Sequence, residues 1–132
     1  MTWSITAKDQ TTGQIGIAVA TRFFAVGARV PYVAAGHGGI ATQAMVNPYY
    51  GIDGVKLLRE GKHPQEIVQL LTAADPGRES RQLHIVDVDG QIAAHTGRDC
   101  VGWCGHLQGD DFSIAGNTVS YTHLTLPTNR EV

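Results

Sequence analysis

The amino-acid sequence predicts an α+β fold whose sheets are largely antiparallel. Two groups of strand-like segments flank one pair of helical segments, an order that alternating β-α-β units do not produce. Hydrophobic residues make up 42% of the 132 residues and charged residues 17%, which is typical of a globular domain. At this length we expect a single domain, and sixteen glycines indicate many tight turns.

The charge distribution narrows the classes of function. The net charge is −2, and the ten lysines and arginines are scattered without a basic run. This pattern argues against a nucleic-acid partner and against an anionic membrane surface. The sequence has no signal peptide pattern and no apolar run long enough to span a membrane, so we predict a cytoplasmic protein.

The chain opens with a predicted β-hairpin whose strands run from Thr2 to Asp9 and from Ile15 to Ala20. Apolar residues on the first strand alternate with three hydroxyl residues, Thr2, Ser4 and Thr6. Aliphatic residues on the second strand alternate with three small residues, Gly16, Ala18 and Ala20. We expect the hydroxyl residues and the small residues to share one face of the hairpin, where they would line a cleft.

The middle of the chain is rich in glycine and then becomes helical. A short strand is predicted around 30–33, and Gly36, Gly38 and Gly39 are expected to interrupt the chain before a strand at 40–43. The stretch 47–51 reads as a turn or loop. A first helix is expected to be capped by Asp53 and to stop at Gly61.

The second helix and the following strands carry clear local signals. Pro64 stands at the first helical position, an apolar stripe follows it, and Asp75-Pro76-Gly77 ends the helix. Strands 83–88 and 91–96 flank Asp89-Gly90, the strongest hairpin signal in the sequence. Two more short strands are predicted at 103–107 and 112–115.

The last segment, 119–132, fits neither a helical period nor a strand. It resembles the translated read-through of a sequencing adapter, and we therefore predict that it is a non-native tail. On this interpretation the domain comprises residues 1–118 and is incomplete at its C-terminus.

Thr2 is the residue whose position suggests chemistry most directly. If Met1 is removed, Thr2 carries both a hydroxyl nucleophile and a free α-amine that can act as its base. Threonine is small enough to permit ordinary removal of the preceding methionine. The alternative is that Thr2 is simply a common second residue and a good strand former.

Other chemistry-bearing residues have structural alternatives as well. Ser4 points the same way as Thr2 and could orient it, whereas Arg22 at a strand end could bind a carboxylate or be an ordinary surface arginine. The residues that most resemble a zinc set are His95, Cys100, Cys104 and His106. Their spacing matches no zinc finger or ribbon, so we predict no metal and no cofactor.

Many short motifs together resemble an uncharacterised prokaryotic family, domain of unknown function 1028. The resemblance begins in the first hairpin and covers nearly all of the chain up to the suspect tail. The matching segments include Thr2-Trp3-Ser4-Ile5, Gly16-Ile17-Ala18-Val19-Ala20-Thr21-Arg22, Ala41-Thr42-Gln43-Ala44, Asn47-Pro48, Ala73-Ala74-Asp75-Pro76-Gly77-Arg78, His95-Thr96-Gly97 and Gly116-Asn117. The resemblance implies a fold like that of the N-terminal nucleophile hydrolases, a four-layer αββα sandwich with two antiparallel sheets.

The resemblance also leads to a functional hypothesis, an amide hydrolase in which Thr2 is the nucleophile. We expect Ser4 and Asn117 to assist catalysis, with Asn117 as an oxyanion donor. Known hydrolases of this fold use a basic partner, and since no lysine lies between Lys8 and Lys56, Arg22 or Arg29 would have to replace it.

We expect three residues, Arg22, Gln43 and Asn47, to bind the substrate, a small-molecule or peptide amide. The alternative is a non-catalytic, homo-oligomeric binding or scaffold domain with the same fold.

Overall fold

Eight strands and two helices form the part of the chain that the computed structural model describes, residues 1–119. The strands are Thr2–Lys8 (β1), Ile15–Thr21 (β2), Pro31–Ala34 (β3), Gly38–Ala44 (β4), Arg81–Asp87 (β5), Ile92–Thr96 (β6), Trp103–Gln108 (β7) and Phe112–Val119 (β8). The helices are Pro48–Arg59 (α1) and Pro64–Ala73 (α2). The predicted α+β class is confirmed, whereas the predicted tail, apart from Val119, lies outside the described residues.

The strands form two antiparallel four-stranded sheets that pack face to face. Sheet A has the order β2-β1-β8-β7, and sheet B has the order β3-β4-β5-β6. Strands β1, β2 and β8 contact β4 and β5 across the space between the sheets, and both helices cover the far side of sheet B. Within residues 1–119, no helix covers the outer face of sheet A.

The main hydrophobic core lies between sheet B and the helices. Its buried members come from both helices and from all four strands of sheet B, and they are Ala34, Ile40, Tyr50, Leu58, Ile67, Val68, Leu83, Ile85 and Ala93. Burial of such side chains contributes about 1.5–3 kcal/mol each, so this layer carries most of the apolar stabilisation. Neither described helix combines the length and the apolar character needed to cross a bilayer.

The face assignment predicted for the first hairpin is wrong. The register pairs Ser4 with Val19 and Thr6 with Ile17, so the hydroxyl residues share a face with the aliphatic residues of β2. The cause is the connection between the strands. Six residues separate the paired ends Lys8 and Ile15, and this number sets which side chains of the two strands face the same way.

Helix α1 begins earlier than the sequence predicts. Asn47 is the N-cap, and its side-chain oxygen accepts a hydrogen bond from the backbone N–H of Tyr49 at 3.1 Å. Gly51, which suggests a loop in the sequence, lies in the first turn, and it is a glycine because the ring of Tyr32 leaves no room for a Cβ there. Asp53 is therefore inside the helix, where its carboxylate pairs with Lys56 at 2.8 Å.

The prediction that three glycines interrupt the chain before β4 is correct only for Gly36. That residue has a φ of 74° and makes the turn, whereas Gly38 and Gly39 belong to the strand. A Cβ on Gly38 would lie 2.8 Å from the carbonyl oxygen of Val86 on β5. These two glycines therefore permit close packing around β4 instead of ending it.

The outer face of sheet A is apolar. Register places Ala18, Ile5, Ile114 and Leu107 in one row across its four strands. The ring of Trp3 lies over Gly116 and beside Trp103, with 5.7 Å between the two ring centroids. We call these residues the outer apolar face. A contiguous apolar surface of this kind typically marks an interaction site or an aggregation liability.

If the outer apolar face mediates self-association, replacing Ile5 and Leu107 together by threonine should reduce it. Threonine keeps the strand preference but removes apolar surface from the centre of the outer apolar face. Sedimentation velocity across a concentration series measures the effect. The control is Val33→Thr, an exposed aliphatic residue on an edge strand of sheet B, which should leave association unchanged. Equal association of the double variant and the control would contradict the assignment.

Candidate functional site

Thr2 lies at the start of β1, which is one of the two central strands of sheet A. Its cross-strand neighbours are Thr21 on β2 and Asn117 on β8. The side chain points toward the space between the sheets, on the same side as buried Ser4. The two predicted catalytic partners of Thr2 are thus close to it, one along its own strand and one on the adjacent strand.

The hydroxyl of Thr2 is part of a short hydrogen-bonded chain. Thr21 donates its single hydroxyl hydrogen to the carbonyl of Met1 at 3.0 Å. The hydroxyl oxygens of Thr2 and Thr21 are 2.9 Å apart, so Thr2 must be the donor of that bond. Thr21 also accepts a bond from the backbone N–H of Phe23 at 3.2 Å. While Met1 is present, its carbonyl therefore fixes the direction of both hydroxyl groups.

A cavity of about 250 Å³ opens beside Thr2. Its walls come from the segment after β2 and from the end of β4, and the lining residues are Thr2, Phe23, Val26, Arg29, Val30, Gln43, Ala44, Met45 and Val46. Two residues proposed from the sequence, Thr2 and Gln43, therefore meet in one concave site. Such a site is the ordinary setting for small-molecule binding.

The wall of the cavity formed by the end of β4 is held in an unusual backbone conformation. Ala44 has a φ of 69°, in the left-handed region that costs a non-glycine residue about 1–3 kcal/mol. The surrounding bonds hold it there. The N–H of Met45 donates to the carbonyl of Ser80 at 3.0 Å, and the guanidinium of Arg81 donates to the carbonyl of Met45. Arg81 is in turn fixed by Asp75 at 2.6 Å.

A buried network of amides connects the site to sheet B. Gln82 donates through its side-chain nitrogen to the carbonyls of Gly116 at 2.8 Å and Gly105 at 3.1 Å. Because carbonyls only accept, the amide oxygen of Gln82 must face the other way. It accepts hydrogen bonds from Gln43 at 2.9 Å and from Asn117 at 3.0 Å.

The same network fixes the protonation pattern of Ser4 and His84. Since Gln43 presents its nitrogen to Gln82, its oxygen faces Ser4 and accepts the hydroxyl hydrogen at 2.6 Å. The oxygen of Ser4 then accepts from Nε2–H of His84 at 2.8 Å. His84 is therefore the neutral Nε2–H tautomer. Burial first, and the charge of His106 second, lower its pKa to about 4.

The remaining predicted substrate-binding residues lie elsewhere. Asn47 does not line the cavity in the described part of the chain. It caps α1, and its amide nitrogen donates to Asp75 at 3.3 Å. Arg22 is exposed on the segment after β2 and is not a cavity residue either. Arg29, seven residues further along that segment, lines the cavity instead.

Sequence reasoning missed Thr21, Gln82 and His84 as members of the site. Gln82 and His84 alternate with the core residues Leu83 and Ile85 along β5. That alternation of polar and apolar residues is a signal that the inner face of the strand is polar. Thr21 could be found only from the register of the first hairpin, which depends on the length of the connection.

The cysteine and histidine residues do not form a metal site in the structure as far as Val119. No group of three or more histidine, cysteine or acidic residues there could hold a metal ion. Cys100 is buried, and burial together with the charge of Cys104 raises its thiol pKa to about 11. Cys100 is thus a protonated thiol at neutral pH and not an activated nucleophile.

Comparison with known proteins identifies a family and a similar solved structure. Residues 2–126 match the model of a family of unknown function, DUF1028. The crystal structure of SPO2555 from Silicibacter pomeroyi, which carries the same family description, matches with a TM-score of 0.87 and 34% identity. The match covers 92% of this chain and 56% of SPO2555, so the chain spans little more than half the length of that relative. No curated protein matches.

The buried neutral state of His84 should make folding stability depend on pH. Its pKa falls from 6.5 in the unfolded chain to about 4 in the fold, so the unfolded chain binds the extra proton in that interval. Stability is then complete above pH 6.5 and declines as the pH falls toward 4, by roughly 3 kcal/mol. Urea unfolding across this interval measures the decline.

Substituting His84 by glutamine tests the assignment, because glutamine can still donate to Ser4 but does not titrate. In this variant, folding stability should fall much less between pH 6.5 and 4. The weaker contribution of His106, whose pKa is also lowered, remains. His63→Gln, at an exposed histidine, is the matched control and should follow the parent chain. An unchanged pH dependence in His84→Gln would refute the role of His84. Asp75, whose pKa is lowered chiefly by Arg81, loses its contribution only at still lower pH, below 3.8.

Proposed function

The chain belongs to the DUF1028 family, and we propose that it is an amide hydrolase of the N-terminal nucleophile type, with Thr2 as the nucleophile. One observation carries this proposal. Thr2 lies at the first position of a central strand and lines a cavity together with Gln43, while Asn117 is its neighbour on β8. We further propose that the two packed sheets and the helical layer correspond to three layers of an αββα sandwich of that hydrolase fold.

The proposed reaction uses the two functional groups of Thr2. Its Oγ attacks the amide carbonyl carbon while its α-amine accepts the hydroxyl proton. The C–N bond then breaks, and the leaving amine departs with that proton. The product of this step is an ester between the acyl group and Thr2. Water hydrolyses the ester, which releases the carboxylic acid and restores the hydroxyl.

The amides of the buried network supply candidates for stabilising the oxyanion. The side-chain nitrogens of Gln43 and Asn117 each carry two hydrogens, and each donates one of them to Gln82. The second hydrogen of each group has no acceptor among the described hydrogen bonds. Loss of a single oxyanion donor typically costs about 10²–10³-fold in rate, so either amide would matter. Gln43 is favoured as a substrate contact because it lines the cavity.

Removal of Met1 is a requirement of this mechanism. With Met1 attached, the nitrogen of Thr2 belongs to a peptide bond and cannot act as a base. Removal also takes away the carbonyl that accepts the hydrogen of Thr21. Thr21 can then donate to Oγ of Thr2, which leaves the proton of Thr2 free to pass to its own amine.

The second candidate function is a non-catalytic binding or scaffold domain that assembles with copies of itself. The outer apolar face favours it, because that surface suits an interface between subunits. The state of the N-terminus separates the two candidates, because assembly through sheet A does not depend on a free Thr2 amine.

The mechanism predicts that the mature protein starts at Thr2. The intact mass should be lower by one methionine residue, and mild periodate should convert the N-terminal amino alcohol to an aldehyde. Retention of Met1 in protein purified from its natural host would refute the mechanism. Periodate provides an independent reading, because a chain that starts with methionine does not form that aldehyde.

Thr2 variants test the chemistry itself. An acyl p-nitroanilide panel and trapping of an acyl ester on Thr2 by peptide mass spectrometry are the measurements. Thr2→Ala should lose about 10³-fold or more of the amidase rate and all of the ester, while Thr2→Ser retains part of both. Thr11→Ala, an exposed threonine in the first turn, is the control and should match the parent chain. Full activity in Thr2→Ala would show that Thr2 is not the nucleophile.

A further inference from the structure

The cavity beside Thr2 has walls that are mostly apolar, and its polar lining residues are Thr2, Arg29 and Gln43. Six of its lining residues are hydrocarbon or thioether side chains, Phe23, Val26, Val30, Ala44, Met45 and Val46. Phe23 and Met45 remain more than half exposed, with exposed fractions of 58% and 65%. Exposed apolar side chains around a concave site gain free energy when a ligand covers them.

One charge stands in these apolar surroundings. Arg29 is the charged side chain of the cavity lining, and no carboxylate accompanies it there. The ion pairs of the described residues involve Lys56, Lys62, Arg78, Arg81 and Arg98, so Arg29 forms no ion pair within residues 1–119. The sequence shows the same lack of negative charge over a longer stretch, because residues 10–52 contain Arg22 and Arg29 but no aspartate or glutamate.

The backbone that carries Arg29 is well defined. Val26–Ala28 form a short 3-10 turn, and the N–H groups of Arg29 and Val30 both donate to the carbonyl of Val26. The carbonyl of Val30 accepts from Thr42 on β4 at 3.0 Å, which ties the segment to sheet B. Ala25, just before the turn, has a φ of 57°, a strained value for a non-glycine residue. The backbone at Arg29 is therefore fixed, while its side chain is exposed to solvent.

From these observations we propose that the cavity binds a small amphipathic carboxylate, with Arg29 holding the carboxylate and the apolar walls holding a hydrocarbon group. An unpaired guanidinium offers two parallel N–H donors that fit a carboxylate in a bidentate contact. A cavity of about 250 Å³ suits a ligand of a few carbon atoms beyond the carboxylate. On the proposed function, on which this substrate assignment rests, the substrate is an amide that also bears a carboxylate, such as an acylated amino acid.

The chain itself provides a reporter for this cavity. It contains two methionines, Met1 and Met45, and Met45 lines the cavity. Labelling the methionine methyl groups with carbon-13 therefore gives a spectrum of at most two signals, of which the Met45 signal reports on a bound ligand. The probes are hexanoate and its neutral isostere hexanamide, titrated into the full chain.

We expect hexanoate to shift the Met45 methyl signal in a saturable way and to bind about 10-fold or more tighter than hexanamide. Arg29→Gln should abolish that preference, and Arg29→Lys should keep only part of it, since lysine lacks the planar fork. The matched comparison is Arg22→Gln, which makes the same charge change on the same segment outside the cavity lining. It should retain the preference, as should Arg59→Gln at the end of α1.

Equal affinity for the acid and the amide would overturn the proposal, as would loss of the preference in Arg22→Gln instead of Arg29→Gln. Arg29→Lys guards against a folding artefact, since a chain that keeps partial preference is folded. A hexanoate preference in a parent chain that starts at Thr2 but shows no amidase activity would refute the catalytic proposal and leave the carboxylate site standing.

Discussion

The orientation of one buried amide, Gln82, sets the direction of the hydrogen bonds that join the two sheets beside Thr2. Its nitrogen faces backbone carbonyls of β7 and β8, which can only accept. That constraint passes through Gln43 to Ser4 and ends at the ring of His84. An unpaired buried polar group costs about 1–3 kcal/mol, so reversing any single amide would disturb the entire network. The interior next to the site is therefore polar, and its hydrogen bonds have a single consistent arrangement.

The fold could be predicted from the sequence wherever the signal was local. Asp89-Gly90 identifies its hairpin, Pro64 identifies the start of α2, and the order of strands and helices gives the α+β class. The errors arose where spacing along the chain gave no information about distant neighbours. Gly51 resembles a loop residue in the sequence, and only the ring of Tyr32, about twenty residues away, explains why this helical position is a glycine.

The candidate site, too, could be predicted only where the signal in the sequence was local. Thr2 and Asn117 are recognisable as strand residues with useful chemistry, and register makes them neighbours. The choice between Arg22 and Arg29 depends on how the segment after β2 turns back toward β4, which neither arginine reveals in the sequence. Asn47 carries an amide suited to substrate binding, but its position before Pro48 uses that side chain to cap α1. The type of each residue indicated what chemistry it could do, whereas its position relative to the cavity depended on long-range packing.

The bond between Thr21 and the carbonyl of Met1 would link the proposed removal of Met1 to the timing of folding. Once the first hairpin closes, that bond holds Met1 against β2. An isolated hairpin is only marginally stable, so it opens often until β8 arrives on the other side of β1. Because β8 is synthesised last of the described strands, a ribosome needs roughly ten seconds to deliver it. On the proposed mechanism, excision of the methionine must break this bond, which is easiest while the hairpin still opens and before β8 completes sheet A.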